Sequence, residues 1–277
     1  MEKHTTTSRS ESVDALPSPV REILREKTLV FTVTTGRSGT GLLASLLSRL
    51  PNTTALHEPD PSFISVMRTV QTHPKVAKEF LCEEKLPFIA KQNARVYVET
   101  SHLFCKGFLE PLLELGVRPA LIFLRREPRD VARSMYRLNT IPGRTKKGRT
   151  YYLQPNDPDT LFVSDSDSLT DYQLCFWYCL EIERRQQLYQ VLADRYDLAA
   201  SILTFSELVG SHTVLSRIAK SVGIPQPGLL NRLKLRVRGI PKKNAKQDRK
   251  SDFDVGNPCE QETEVYRRMA FPPNFSQ

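Results

Sequence analysis

A glycine-rich turn between an apolar run and a helical repeat constrains the fold of this chain more than any other feature. Residues 29–35 read LVFTVTT, and such a run of apolar and β-branched side chains is typical of a strand buried on both faces. The turn reads GRSGTG over residues 36–41, and leucines then recur at helical spacing until Pro51. Such a turn points backbone N–H groups and the positive end of a helix dipole at one place, so the segment predicts an anion-binding loop. The candidate binding residues are Gly36, Arg37, Ser38, Gly39, Thr40 and Gly41. The alternative is a tight turn that holds no ligand.

Strands and helices alternate along the rest of the chain. Apolar or β-branched runs predict further strands at 95–99, 120–124 and 201–205. Helical spacing predicts helices within 62–81 and at 107–115, 128–138, 171–196 and 208–222. This alternation predicts an α/β fold with a mainly parallel central sheet.

Composition divides the chain into three parts. We expect a flexible N-terminal arm over residues 1–27, a folded core over residues 28–225 and a basic C-terminal segment over residues 226–277. Residues 139–170 are rich in Pro, Gly, Asp and Ser and show little periodicity, so we expect a long surface insertion there, on the substrate side.

The charge of the chain indicates an anionic partner. Lys and Arg number 40 against 31 Asp and Glu, a net charge of +9, and residues 232–250 are especially dense in Lys and Arg. Nucleic acid, an acidic membrane surface and a phosphorylated small molecule all fit this balance. No apolar run reaches the length of about 18 residues that a transmembrane helix needs, so no membrane span is expected. The five cysteines form no C-x-x-C pair, which indicates reduced thiols and a cytoplasmic location.

The glycine-rich turn departs from the P-loop of kinases. The spacing from Gly36 to Gly41 matches that motif, but Leu42 and Leu43 stand where it requires Lys and then Ser or Thr. The side-chain cation of the turn is instead Arg37. A P-loop kinase therefore remains an alternative, although Leu42 and Leu43 argue against it. No metal site is expected.

A second group of polar residues follows the strand predicted at 120–124. Arg126 comes directly after that strand, and Ser134 lies in the next predicted helix. A guanidinium and a hydroxyl placed in this way can bind one phosphate. The alternative is a solvated, arginine-rich helix face.

Taken in order, these segments resemble the sulfotransferases that use 3′-phosphoadenosine 5′-phosphosulfate (PAPS). The resemblance rests on the sequence TTGRSGT at 34–40, on Arg126-Glu127-Pro128 followed by Ser134, and on ILTFSEL at 202–208. It implies a three-layer, P-loop-like fold with helices on both faces of the sheet and a sulfotransferase core over residues 28–225. It further implies that residues 36–41 hold the 5′-phosphosulfate, and that Arg126 and Ser134 bind the 3′-phosphate.

The resemblance also implies a reaction. PAPS would donate a sulfuryl group to an acceptor hydroxyl, on a small molecule or a glycan, by in-line displacement without a metal. Arg37 would stabilise the leaving phosphate, and the basic segment 226–277 would close over the nucleotide. No nucleic-acid partner is expected on this interpretation. The alternative from another class is a non-enzymatic protein that binds anions or nucleic acid through its basic tail.

Two residues are the main candidates for the general base. His102 follows the strand at 95–99 and matches the histidine base of the cytosolic branch, although Thr100 replaces that branch's Lys. Glu58 stands where other branches place a glutamate base, and His57 is a third candidate. His102 is favoured because an imidazole with a pKa near the reference value of about 6.5 titrates near neutral pH.

Overall fold

A computed structural model describes residues 16–210, 213–226 and 255–269. Within these residues, five parallel strands form one sheet in the order β2-β3-β1-β4-β5. The strands are β1 (Thr28–Val33), β2 (Thr53–Leu56), β3 (Val96–Glu99), β4 (Ala120–Arg125) and β5 (Ala200–Thr204). The predicted α/β fold with a parallel sheet is confirmed.

Helices cover both faces of the sheet. They are α1 (Ser18–Arg25), α2 (Thr40–Leu47), α3 (Met67–Thr72), α4 (Lys75–Phe80), α5 (Leu86–Ala90), α6 (Leu109–Glu114), α7 (Pro128–Arg137), α8 (Lys146–Tyr151), α9 (Asp171–Arg195), α10 (Phe205–Gly210), α11 (Thr213–Ser221) and α12 (Pro258–Arg268). A π-helical turn, Leu81–Lys85, joins α4 to α5. Successive residues of β1 enter two separate cores: Phe31 packs in the core that contains α7 and α9, and Val30 in the core that contains α2 and α11. The layered arrangement follows from this alternation along buried strands.

The carboxyl ends of the parallel strands bring distant segments of the chain together. Parallel strands all end on the same side, so the loop after β1 lies beside the segments that follow β3 and β4. Helix α9 closes this edge from one face, because Gln186 donates hydrogen bonds to the carbonyls of Val33 (2.9 Å) and Leu124 (3.3 Å). The ends of β1 and β4 are therefore held together at the place where both candidate phosphate motifs begin.

The N-terminal arm is shorter than predicted. Residues 18–25 form α1, and Leu16 and Leu24 are buried in the core. The expectation of a flexible arm is wrong for this part, because two apolar side chains near the helix ends anchor it. Residues 1–15 lie outside the described residues.

The segment 139–170 lies at the surface but is anchored to the core by a few buried side chains. Ile141 and Leu153 are fully buried, and Gly148 lies so close to the Ile141 carbonyl that no larger residue fits there. The indole of Trp177 on α9 donates a hydrogen bond to the Leu161 carbonyl at 3.0 Å. The expected surface loop is thus corrected to a folded segment that includes α8.

The C-terminal segment contains a helix that its basic composition conceals. Helix α12 packs on α9, and its Glu262 accepts hydrogen bonds from Arg129 on α7 and from Tyr172 on α9. The basic stretch at 232–250 lies outside the described residues. No helix in the described ranges is long and apolar enough to cross a membrane.

Candidate functional site

The glycine-rich loop is fixed by its own hydroxyls and by Phe205. The Thr34 hydroxyl lies 2.6 Å from Ser38 Oγ, which in turn donates to the Thr35 carbonyl at 2.8 Å. Gly39 precedes α2 with φ at 98°, and a Cβ atom there would lie 2.7 Å from the Phe205 ring. Only glycine satisfies both the left-handed conformation and this close approach.

The backbone donors of the loop are available to a ligand. The N–H groups of Arg37, Gly39 and Thr40 have no hydrogen-bond partner among the described residues, whereas Ser38 closes the turn at Gly36 and Arg37. They precede or begin α2, whose dipole is positive at that end. The loop therefore has the donor set that an anion such as a phosphate requires.

The two predicted phosphate motifs meet at Arg37. Its Nε donates to Ser134 Oγ at 3.0 Å, and its carbonyl accepts a hydrogen bond from Arg126 Nη1 at 2.8 Å. The Arg126 guanidinium stacks on the Phe205 ring, 4.8 Å from the centroid. Its Nε is buried and has no partner among the described residues. Burial lowers the pKa of Arg126 from its ordinary value, while Asp130 opposes that shift.

The two candidate bases, Glu58 and His102, face each other. Leu56 and Glu99 are paired across β2 and β3, so residues that follow them at the same edge become neighbours. His102 Nε2 lies 3.5 Å from Glu58 Oε1, and the Glu58 side chain is the more exposed, at 24% against 9%. Glu58 Oε1 has no hydrogen-bond partner among the described residues.

The third candidate, His57, is engaged elsewhere. Its Nδ1 lies 2.7 Å from the Thr100 carbonyl, at the end of β3. This contact ties the ring to the backbone of the neighbouring strand. His57 is thus better placed to hold the segment before Glu58 than to take a proton.

Sequence reasoning missed Lys106, which contacts His102 from the other side. Lys106 Nζ lies 3.1 Å from His102 Nδ1 and also donates to the Tyr151 carbonyl at the end of α8. The rings of Tyr152 and Tyr178 flank the ammonium at 5.2 Å each. Burial lowers the pKa of Lys106 to about 7. Its signal in the sequence was a lone charge within the apolar stretch LFCKGF.

Burial also governs the protonation of His102. Burial, and then the charge of Lys106, holds the pKa of His102 well below its usual range. The imidazole is therefore neutral at physiological pH. The stated reason for favouring His102 as the base, a pKa near 6.5, does not apply in this environment.

A buried ion pair lies next to this group. Lys85 and Glu99 are both fully buried, with Nζ 3.1 Å from each carboxylate oxygen, and the Tyr97 hydroxyl donates to Glu99 at 2.6 Å. Burial lowers the pKa of Lys85 and raises the pKa of Glu99. Glu99 is the last residue of β3 and immediately precedes Thr100, so this ion pair lies directly behind the candidate bases.

A comparison with known families identifies the family of this chain. The family described as "Sulfotransferase domain" matches residues 27–198, which is more than half of the chain. The chain belongs to the sulfotransferase family. The matched range contains every residue of this candidate site except Phe205. Sulfuryl transfer is thus its general activity, and the kinase and non-enzymatic alternatives lose their support.

A solved structure is similar to this sulfotransferase over about three quarters of its length. That structure, titled "Sulfotransferase Domain from the Curacin Biosynthetic Pathway", has 14% sequence identity to it and a TM-score of 0.48, with 76% of this chain and 77% of that chain covered. No curated protein matches the sequence. Among the described residues, no group of three or more His, Cys, Asp or Glu side chains could hold a metal ion.

Proposed function

We propose that this sulfotransferase takes a sulfuryl group from PAPS and transfers it to an acceptor hydroxyl without a metal ion. The observation that carries this proposal is the convergence of two motifs on Arg37, which contacts Ser134 through its side chain and Arg126 through its carbonyl. A single cluster of cationic and hydroxyl donors suits a nucleotide that carries phosphate at two positions.

The residues present fit the nucleotide. The N–H groups of residues 37–40, together with the Arg37 side chain, would hold the 5′-phosphosulfate. Arg126 and Ser134 would hold the 3′-phosphate, and the buried, unpartnered Nε of Arg126 supports that role because a buried donor needs an acceptor. When bound, the nucleotide supplies the sulfuryl group.

Glu58 is proposed as the general base. Its side chain is more exposed than that of His102, so it is the better placed of the two to reach an acceptor. Its Oε1 is buried beside His102 Nε2, so Oε2 is the oxygen that would take the proton. A carboxylate takes the proton from the acceptor hydroxyl as that oxygen attacks sulfur. His102 stands behind Glu58 and orients the carboxylate through Nε2.

Arg37 and the loop N–H groups stabilise the negative charge that develops on the leaving phosphate. They are fixed in place before the reaction by Ser134 and by the capping geometry of α2. Donors held in this way stabilise charge as it develops on a leaving phosphate. Because Leu42 and Leu43 replace the Lys and hydroxyl of a magnesium P-loop, Arg37 takes over the cationic role.

The acceptor side is formed by the segment 139–170. The ring of Tyr151, at the end of α8, lies 6.3 Å from that of His102, and α8 exposes Lys146, Lys147 and Arg149. A small molecule or a glycan that carries negative charge fits this surface. The basic segment 226–277 is proposed to close over the nucleotide, an arrangement that the contact between α12 and Arg129 of α7 favours. All five cysteines are free thiols, which suits the reducing cytoplasm proposed as its location.

Turnover with PAPS tests the proposal. The protein is incubated with PAPS, a chelator and a panel of phenolic, alcoholic and carbohydrate hydroxyl acceptors, and release of 3′-phosphoadenosine 5′-phosphate (PAP) is measured. We expect acceptor-dependent release that survives the chelator. Phosphoryl transfer from ATP that requires magnesium, with no turnover of PAPS, would contradict the proposal.

A further inference from the structure

Lys106 is a fully buried lysine whose Nζ contacts no carboxylate among the described residues. Its Nζ makes two polar contacts, to His102 Nδ1 at 3.1 Å and to the Tyr151 carbonyl. An apolar side chain of the same length could fill this volume without the cost of burying an ammonium. The burial of this ammonium group therefore indicates that Lys106 has a role in the site.

The contact with His102 fixes where the ring carries its proton. Below its pKa of about 7, Lys106 is an ammonium group, which only donates hydrogen bonds, so Nδ1 of His102 then accepts one from it. A neutral imidazole has a single ring proton, and that proton then sits on Nε2, which faces Glu58 Oε1 at 3.5 Å. A second ring proton on Nδ1 would point an N–H group at the ammonium, which the like charges oppose.

We propose that Lys106 is a positioning residue, which keeps His102 neutral with its ring proton on Nε2 and directed at Glu58. This inference rests on the proposed role of Glu58 as the base. A positively charged imidazole at this distance would stabilise the carboxylate and weaken it as a base. Lys106 thus prevents a positive charge from forming on the ring that lies next to Glu58.

Other charged groups near Lys106 also act on its protonation. Cys105 and Glu58 favour its charged form, whereas Arg185 of α9 and Arg68 of α3 oppose it. His57 likewise disfavours the charged form of His102. The net effect leaves Lys106 with a pKa of about 7, so at pH 6 the ammonium predominates while His102 stays neutral.

Nitrogen-15 NMR of the ring nitrogens tests the proposal on the nucleotide-free, full-length protein. The protein is labelled at its histidines, and the His102→Gln variant assigns the signal of His102 among the five histidines. At pH 6 we expect the two-bond ¹⁵N–¹H correlations of a neutral ring with Nε2 protonated and Nδ1 unprotonated. Protonation at Nδ1 in this spectrum overturns the proposal.

Lys106→Met supplies the second measurement, because methionine keeps the length of the side chain and removes the charge. We expect His102 to titrate at a higher pH than in the wild type. The acid limb of the kcat–pH profile should move upward by the same amount, with PAP affinity unchanged. Lys27→Met is the matched control, since Lys27 also makes two polar contacts, to the carbonyls of Gln92 (2.5 Å) and Ala94 (2.8 Å), but lies just before β1 and away from His102.

The outcomes separate this inference from the proposed function. A His102 titration that is identical in Lys106→Met and the wild type overturns the positioning role, even if PAP binds. Absence of PAP binding overturns the proposed donor and leaves the ring spectrum interpretable. If Lys106→Met does not fold, the wild-type spectrum decides alone.

Discussion

The side chain of Arg37 donates a hydrogen bond from Nε to Ser134 Oγ at 3.0 Å, across a separation of 97 residues. This bond joins the glycine-rich loop that follows β1 to the helix that follows β4. The two strands are neighbours in the sheet, so their following segments share one edge. A nucleotide with phosphates at both ends can be held there by residues that are remote in the sequence.

Gly39 should tolerate no side chain. Gly39→Ala places a Cβ atom 2.7 Å from the Phe205 ring at a φ of 98°, and we expect a lower melting temperature and weaker PAP binding. Gly116→Ala is the control, because Gly116 also has a positive φ, 77°, but open space around it. The control should lose only about 1–2 kcal/mol from backbone strain. Equal losses in the two variants, with PAP binding intact in both, would show that the Phe205 contact is unimportant.

Lys85→Met should destabilise the fold strongly. It leaves the Glu99 carboxylate buried without its cation, and loss of one partner of a buried pair costs about 3–5 kcal/mol. Urea unfolding at pH 7 measures the loss. The double variant Lys85→Met/Glu99→Gln removes both charges and should recover much of it. A single variant as stable as the wild type would mean that Glu99 is already neutral in the fold.

The free energy of unfolding should depend on pH through Lys106. Its pKa is about 7 in the folded protein against an ordinary 10.5, so the unfolded chain binds more protons between these values. Stability therefore rises with pH across that window, by at most about 1.4 kcal/mol per pH unit. We expect Lys106→Met to show a smaller slope than the wild type in denaturant titrations at pH 7, 8 and 9, because Lys85 and Lys27 contribute in the same direction in both proteins. An identical slope in the variant would show that the folded lysine keeps an ordinary pKa.

Glu58 should matter more to turnover than His102. With any acceptor that supports turnover, Glu58→Gln should lower kcat by roughly 10²–10⁴-fold, the usual contribution of a general base, and leave PAP affinity unchanged. His102→Gln should cost less, because its ring only orients the carboxylate. The opposite ranking, with Glu58→Gln nearly silent, would make His102 the base.

The parts that sequence predicted well are those in which local pattern decides the structure. The strand, loop and helix at 29–50 follow from hydrophobic periodicity and a glycine pair, and the long helix at 171–196 was predicted to within a residue. Strand β2 was missed because its four residues are only half-buried and show no alternation. Helix α8 was missed because it is short and contains Gly148, a residue that disfavours helices.

The contacts of the candidate bases lay beyond sequence reasoning. Glu58 and His102 become neighbours only through the register of β2 against β3. Lys106 reaches its position because α8 and α9 pack over it, and no local pattern signals that packing. Burial lowers the pKa of Lys106, and the burial of His102, followed by the charge of Lys106, lowers the pKa of His102. The surroundings of the ring therefore favour Glu58 over His102 as the base.

Nucleotide affinity tests the central claim most directly, because it needs no acceptor. Binding of PAP and of adenosine 5′-phosphate is compared by calorimetry in the presence of a chelator, with Arg126→Ala as the test variant and the exposed neighbour Arg125→Ala as its control. We predict that PAP binds about tenfold or more tightly, since a charge-assisted contact contributes about 1.5–3 kcal/mol, and that Arg126→Ala alone removes most of this preference. Equal affinity of the wild-type protein for the two nucleotides would contradict the account.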